Sequence, residues 1–225
     1  SIHDVWIEDG IAYSSNWADG IVAVDIGAKK HKESDRSKSQ FNPLLAKAGQ
    51  GSPSNPVKLA EMKDPTGRNH AAFPYLNEET GQFYIIGGDE NFPWGVQATK
   101  NKPSNPRGGY HFMNFTDPNN PREDAIYEVP EAGSHNLWIY GDILLAGNYQ
   151  GGLRIVDISG ELLGDIYKQG REIAHYLSYH KDGRIPNAPM VWGAQPYKDY
   201  IFFSDMNSGL YCVAYEDEQK TASAE

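Results

Sequence analysis

A single cysteine, Cys212, excludes any internal disulfide. In the apolar run Leu210-Tyr-Cys-Val213 it reads as a small core residue, and a lone thiol does not identify a redox compartment. No stretch approaches the roughly 18 apolar residues of a membrane span, so no transmembrane segment is expected. Basic residues are outnumbered, 20 to 30, and form no cluster that would track a phosphate backbone, so nucleic acid is not expected as a partner. GxSxG, HExxH, CxxC and phosphate-loop patterns are missing. Gly87-Gly-Asp-Glu90 and Gly108-Gly109 lack dinucleotide spacing. The chain begins Ser-Ile-His, which leaves open an export leader removed upstream.

Glycine, proline and aromatic residues are plentiful, and they favour many short strands joined by turns. An ungapped repeat at an offset of 132 residues organises them. His3-Asp-Val-Trp-Ile7 returns as His135-Asn-Leu-Trp-Ile139, Asn16 as Asn148, Gly20 as Gly152, and Val24-Asp-Ile26 as Val156-Asp-Ile158. Such self-similarity means one supersecondary unit used repeatedly. Within the unit, runs of about six alternating residues are separated by Gly/Asp/Asn turns, the pattern of an antiparallel meander. The predicted fold is all-β: a β-propeller of four-stranded antiparallel blades. Four blades are expected, at about 1–63, 69–129, 133–169 and 187–216. Insertions are expected at 28–56, 89–108 and 170–188, and a fraying tail at 217–225. Short helical turns are expected around Pro43–Ala48 and in Glu172–Tyr179, and the fourth strand of the third blade at Leu162–Lys168. Trp6, Trp138 and Trp192 are expected to fill equivalent positions between blades. Because the last unit ends after three strands, the ring is expected to be part of a larger one, completed by upstream residues or another chain.

The segments Gly152-Leu-Arg-Ile-Val-Asp-Ile158 and Ile21-Val-Ala-Val-Asp-Ile26, with the degenerate Tyr110-His-Phe-Met-Asn-Phe115 and Leu210-Tyr-Cys-Val-Ala214, resemble the motif of LVIVD-repeat proteins. That resemblance covers most of the chain outside the insertions. It implies a β-propeller in an extracytoplasmic setting, periplasmic or at the cell surface, and no particular reaction.

Three histidines, His3, His70 and His135, stand just before or at the first strand of successive blades, where innermost strands open onto the channel mouth. Imidazoles converging there form a credible shell for a bound metal ion, with Asp4 and Asn136 beside them as supports. The competing reading, which their repetition favours, is that each caps its strand as a repeat residue, and the fourth unit has Pro189 at that place. Asp25 and Asp157 read as turn residues that bond backbone amides. Asp205-Met-Asn207 only loosely resembles a calcium loop. Among loop aromatics, Trp17, Phe92, Trp94 and Tyr149 are candidates for a binding rim. The leading expectation is a non-enzymatic scaffold that binds other protein subunits. The alternatives are a metal-binding protein or metal-dependent enzyme using the histidines, and a carbohydrate-binding propeller using the rim.

Overall fold

The computed structural model describes residues 1–32, 41–91, 108–130 and 132–216. Four small antiparallel sheets are arranged as the blades of a four-bladed β-propeller. Blade 1 contains β1 (Asp4–Glu8), β2 (Ile11–Ser15), β3 (Ile21–Asp25) and β4 (Val57–Met62). Blade 2 contains β5 (Asn69–Asn77), β6 (Gln82–Asp89), β7 (Tyr110–Asn114) and β8 (Arg122–Tyr127). Blade 3 starts with β9 (Leu137–Tyr140), β10 (Ile143–Gly147) and β11 (Leu153–Asp157). The chain then contributes β12 (Gly164–Asp165) to the edge of blade 2, parallel to β8, before β13 (Glu172–Tyr176) completes blade 3. Blade 4 contains β14 (Val191–Tyr197), β15 (Tyr200–Asp205) and β16 (Gly209–Val213), with no fourth strand among the described residues. No helix is long and apolar enough to cross a membrane among those residues. One 3-10 turn, Pro43–Ala46, falls where a helical turn was expected, started by the Asn42 side chain accepting from the Leu44 amide.

Alternation along the strands supplies the packing between blades. Ile11, Tyr13 and Ile21 of blade 1 meet Phe83, Ile85 and Met113 of blade 2. Tyr110, Phe112 and Ile86 meet Leu144, Val156 and Ile158 of blade 3, and Leu145 and Ile155 meet Val191 and Phe203 of blade 4. Each fully buried large apolar side chain contributes roughly 1.5–3 kcal/mol, so these seams dominate stability. A backbone latch repeats at each seam. The Trp17 amide donates to the Asn69 carbonyl (3.0 Å), Asn91 to Ser134 (3.3 Å), and Tyr149 to Val191 (2.9 Å). The outward faces of blades 1 and 4 have no such cover: Ile7 is 58% exposed and Leu210 75%.

A bulge also recurs. Between the third and fourth strands of three blades the register slips at Ala23/Val24, Phe112/Met113 and Ile155/Val156. The fourth strand therefore carries one unpaired residue: Leu59, Asp124 or Ile173. An extra residue reverses the alternation beyond it, so residues three apart share a face. Lys58 pairs with Glu61 (2.9 Å) and Glu172 with His175 (2.9 Å) in this way. In blade 2 the same slip brings Glu123 onto the face of His111, with Oε1 2.5 Å from Nδ1. His111 also meets Asp89. Burial pulls the imidazole pKa down, but the bonds to the two carboxylates outweigh it and raise the value to about 10.

Four expectations are corrected. The fourth strand of blade 3 is β13, and Leu162–Lys168 instead reaches across to blade 2. Glu172–Tyr179 is not helical, because the bulge at Ile173 mimics a three-residue helical spacing in a strand. Cys212 is exposed: alternation in β16 turns Tyr211 and Val213 toward blade 3 and Cys212 to the uncovered face. Of the three tryptophans, Trp6 and Trp138 meet edge to face (5.0 Å), but Trp192 is 41% exposed and lies outside that cluster. The expected tail 217–225, and positions 33–40 and 92–107 of the insertions, lie outside the described residues.

Gly20 and Gly152 are repeat equivalents with φ of 77° and 78°, each pressed against the fourth strand. A Cβ would lie 2.2 Å from the Met62 carbonyl oxygen in one and 2.2 Å from that of Tyr176 in the other. Gly152→Ala is expected to cost about 2–4 kcal/mol in urea unfolding, against about 1 kcal/mol for Gly170→Ala. Gly170 has a similar φ but open space around it. Equal losses in the two variants would show that the close approach is unimportant.

Candidate metal centre

At the channel mouth the equivalent starts of β1, β5 and β9 bring three imidazoles into one row. The His3 amide donates to the Ser15 carbonyl (2.8 Å) and the His135 amide to that of Gly147 (2.9 Å), so both extend their strands in the same way. His70 lies in the middle, its ring 4.2 Å from His3 and 4.1 Å from His135. His3 is exposed, while His70 and His135 are buried.

Glu90, which follows β6, faces the row. Its Oε2 is 3.9 Å from His70 Nε2 and its Oε1 3.9 Å from His135 Nε2. Ligand atoms of His3, His70 and Glu90 all lie within 4.8 Å of one another. Contacts of 3.9 Å are too long for hydrogen bonds. Two donors that each reach a shared tetrahedral ion at about 2.1 Å stand about 3.4 Å apart, so the carboxylate and the imidazoles would close by about half an ångström to hold one.

Surrounding groups fix this geometry. His135 Nδ1 donates to the Trp192 carbonyl (2.9 Å), which leaves Nε2 as the lone-pair nitrogen toward Glu90. The Trp192 indole stacks on the same ring at 5.3 Å and 10°, and Trp17 meets His3 edge-on at 4.4 Å. The Tyr149 hydroxyl donates to Glu90 Oε1 (3.0 Å). Burial and the Glu90 carboxylate push the Tyr149 phenol well above its ordinary value. Burial, reinforced by His135 and His3, drives His70 down to about 3, and burial also lowers His135. Both imidazoles are thus neutral at physiological pH, the form that binds metals. The Nδ1 of His70 is buried with no partner.

The three histidines therefore come together, with His135 reaching the group across Glu90. Glu90 itself had no signal in the sequence beyond an acid at the end of a strand. The rim expectation divides. Tyr149 is fully buried and cannot form an exposed platform, because its phenol is turned inward to Glu90. Trp17 is partly exposed beside His3, and Phe92 and Trp94 lie outside the described residues. Below the mouth, a cavity of about 450 Å³ is lined by residues of all four first strands, including Trp6, Phe73, Trp138 and Trp192.

No family model matches the chain. No curated protein matches it either. Solved structures do. The chain is similar to the crystal structure of the computationally designed Ika4 protein, at 10% identity and a TM-score of 0.54, covering 96% of this chain and 92% of that one. It is also similar to the computationally designed Ika8 protein, at 12% identity and a TM-score of 0.53. That match covers 96% of this chain and 46% of that one, so the chain spans about half its length. At such identities the likeness concerns the fold alone.

Proposed function

We propose that this propeller is a metal-binding protein whose channel mouth holds a divalent transition ion through His3, His70 and Glu90, with His135 beside the same carboxylate. The observation that carries the reading is the convergence of ligand atoms of His3, His70 and Glu90 within 4.8 Å of one another, with His135 Nε2 3.9 Å from the same carboxylate. A nitrogen-rich set with one carboxylate suits Zn²⁺, Ni²⁺ or Cu²⁺ better than Mg²⁺ or Ca²⁺. Tyr149 and the Trp192 carbonyl would orient the ligands, and the exposed side of His3 leaves an approach for a further small ligand.

The test is equilibrium dialysis against Zn²⁺ and Ni²⁺, read by elemental analysis, with imidazole resonances followed by NMR. Zn²⁺ is expected to shift the His3, His70 and His135 resonances, and His70→Ala to weaken binding at this site at least tenfold. Imidazole resonances that stay put at saturating Zn²⁺ would sink the proposal.

A second reading, a scaffold that joins protein subunits in an extracytoplasmic assembly or a larger ring, is supported by the uncovered faces of blades 1 and 4, where Val5, Ile7 and Leu210 are exposed. Carbohydrate binding retains Trp17 as its described contributor.

A further inference from the structure

A separate group of ligand atoms lies inside blade 2. Asp64, in the β4–β5 connection, Asp89, at the end of β6, and His111, in β7, each place one ligand atom within 4.8 Å of the others. All three side chains are buried. Asp64 Oδ1 accepts from the amides of Thr66 (2.8 Å) and Gly67 (2.9 Å), whereas Oδ2 is buried and has no partner. The Thr66 hydroxyl lies 2.7 Å from Asp64 Oδ1 and 2.7 Å from Asp89 Oδ1. It has one proton to donate, so one of the two carboxylates goes without it. Asp89 Oδ2 has the Gly109 amide and His111 Nε2, each at 3.3 Å. Among the described residues no lysine or arginine forms an ion pair with Asp64 or Asp89.

A protonated His111 paired with Asp89 and Glu123, with the Asp64 charge nearby, is the metal-free state; it still leaves Asp64 Oδ2 without a bonding partner, and a metal on His111 Nε2 displaces that proton. A buried, half-satisfied carboxylate beside a second carboxylate is costly unless a cation joins them. The Glu123 carboxylate behind His111 Nδ1 is also the arrangement that aims Nε2 at a metal. Asn16 and Asn148 follow the second strands of blades 1 and 3, with neutral amides that bond the local backbone. At the corresponding end of β6 stands Asp89.

We propose that Asp64, Asp89 and His111, with the Thr66 hydroxyl as a neutral fourth donor, form a second metal site, for a divalent ion of the Mn²⁺ or Zn²⁺ class. Two carboxylates, a hydroxyl and one imidazole make a harder donor set than the channel mouth. The two sites share no ligand, so neither depends on the other. Glu123 serves as a positioning residue, acting through His111.

The test uses the full chain crystallised with Mn²⁺ and diffraction data recorded above the manganese edge. An anomalous peak among Asp64, Asp89 and His111 is expected, and no peak there at saturating Mn²⁺ overturns the proposal. In solution, His70→Ala should retain Mn²⁺ binding at this site. Asp64→Asn should weaken it at least tenfold, and Glu123→Gln about 10–100-fold. Should Asp64→Asn fail to fold, the partly exposed Glu123 carries the test, and wild-type Mn²⁺ affinity in Glu123→Gln overturns the proposal.

Discussion

Asp25→Ala is expected to lower the unfolding free energy by about 3–5 kcal/mol, because five backbone amides lose one buried acceptor at once. Asp25 ends β3. Its Oδ1 accepts from Gly27 (2.9 Å) and Ala28 (2.8 Å), and its Oδ2 from Gly49 (2.8 Å), Gln50 (3.0 Å) and Gly51 (2.8 Å). One carboxylate thus closes its own turn and anchors the far end of the first insertion. Asp157, the repeat equivalent, bonds the amide and hydroxyl of Ser159 and pairs loosely with Arg171 (3.7 Å), and Asp157→Ala should cost about 1 kcal/mol. Burial alone would raise the Asp25 pKa, but the amides outweigh it and hold the carboxyl well below the usual range. The sign follows from linkage. The carboxylate's contribution is complete above the unfolded pKa of about 3.9 and is lost as pH falls from there through the lowered folded value. Urea titrations at pH 7 and pH 3 should therefore show a smaller acid loss in Asp25→Asn than in the wild type. Equal acid slopes in both proteins would remove Asp25 from the explanation.

Tyr110→Ala should cost a similar 3–5 kcal/mol through the cavity it leaves between blades 2 and 3. Tyr110 is fully buried, and its hydroxyl donates to the Gly147 carbonyl (2.7 Å) across that seam. Burial raises the phenol pKa, so this donor keeps its proton throughout the workable pH range. Tyr110→Phe keeps the packing and loses the hydroxyl's bonds, to the Gly147 carbonyl and more weakly to the Asn136 carbonyl and the His135 amide, for about 1–2 kcal/mol. Tyr200, 48% exposed in blade 4, sets the baseline: its replacement by alanine should change stability by about 0.5 kcal/mol or less. A Tyr110→Ala protein that unfolds at the wild-type urea midpoint would falsify the assignment of this seam to the core.

The repeat was legible because it rests on backbone demands that only certain residues meet. Gly20 and Gly152 adopt positive φ against a neighbouring strand, and Asp25 and Asp157 close the same turn. Blade count and the strands of blade 1 could be read from these positions. The convergence of His3, His70 and His135 could be read as well, since equivalent strand starts meet at one end of a propeller. Glu90 could not, because a residue beyond the end of β6 is placed by its Tyr149 and Arg68 contacts from other parts of the chain. Asp64 was invisible for the same reason. The fourth strand of blade 3 was misplaced because β13 contains an unpaired residue. Its Glu172–His175 spacing imitates a helix, while Leu162–Lys168 looks like a strand and belongs mostly to a crossing segment.

The recurring extra residue in the outer strands sets a reading frame for each blade's edge. Deleting Leu59, Asp124 or Ile173 leaves that frame in phase, because the pairs on either side of the extra residue are already consecutive on the third strand. In blade 2, Glu123 would then stand two residues from Ile126 instead of three, still opposite Met113 and on the face of His111. The outer strands of blades 1, 2 and 3 therefore hold one residue of slack each, which absorbs a single deletion without moving paired side chains to the other face.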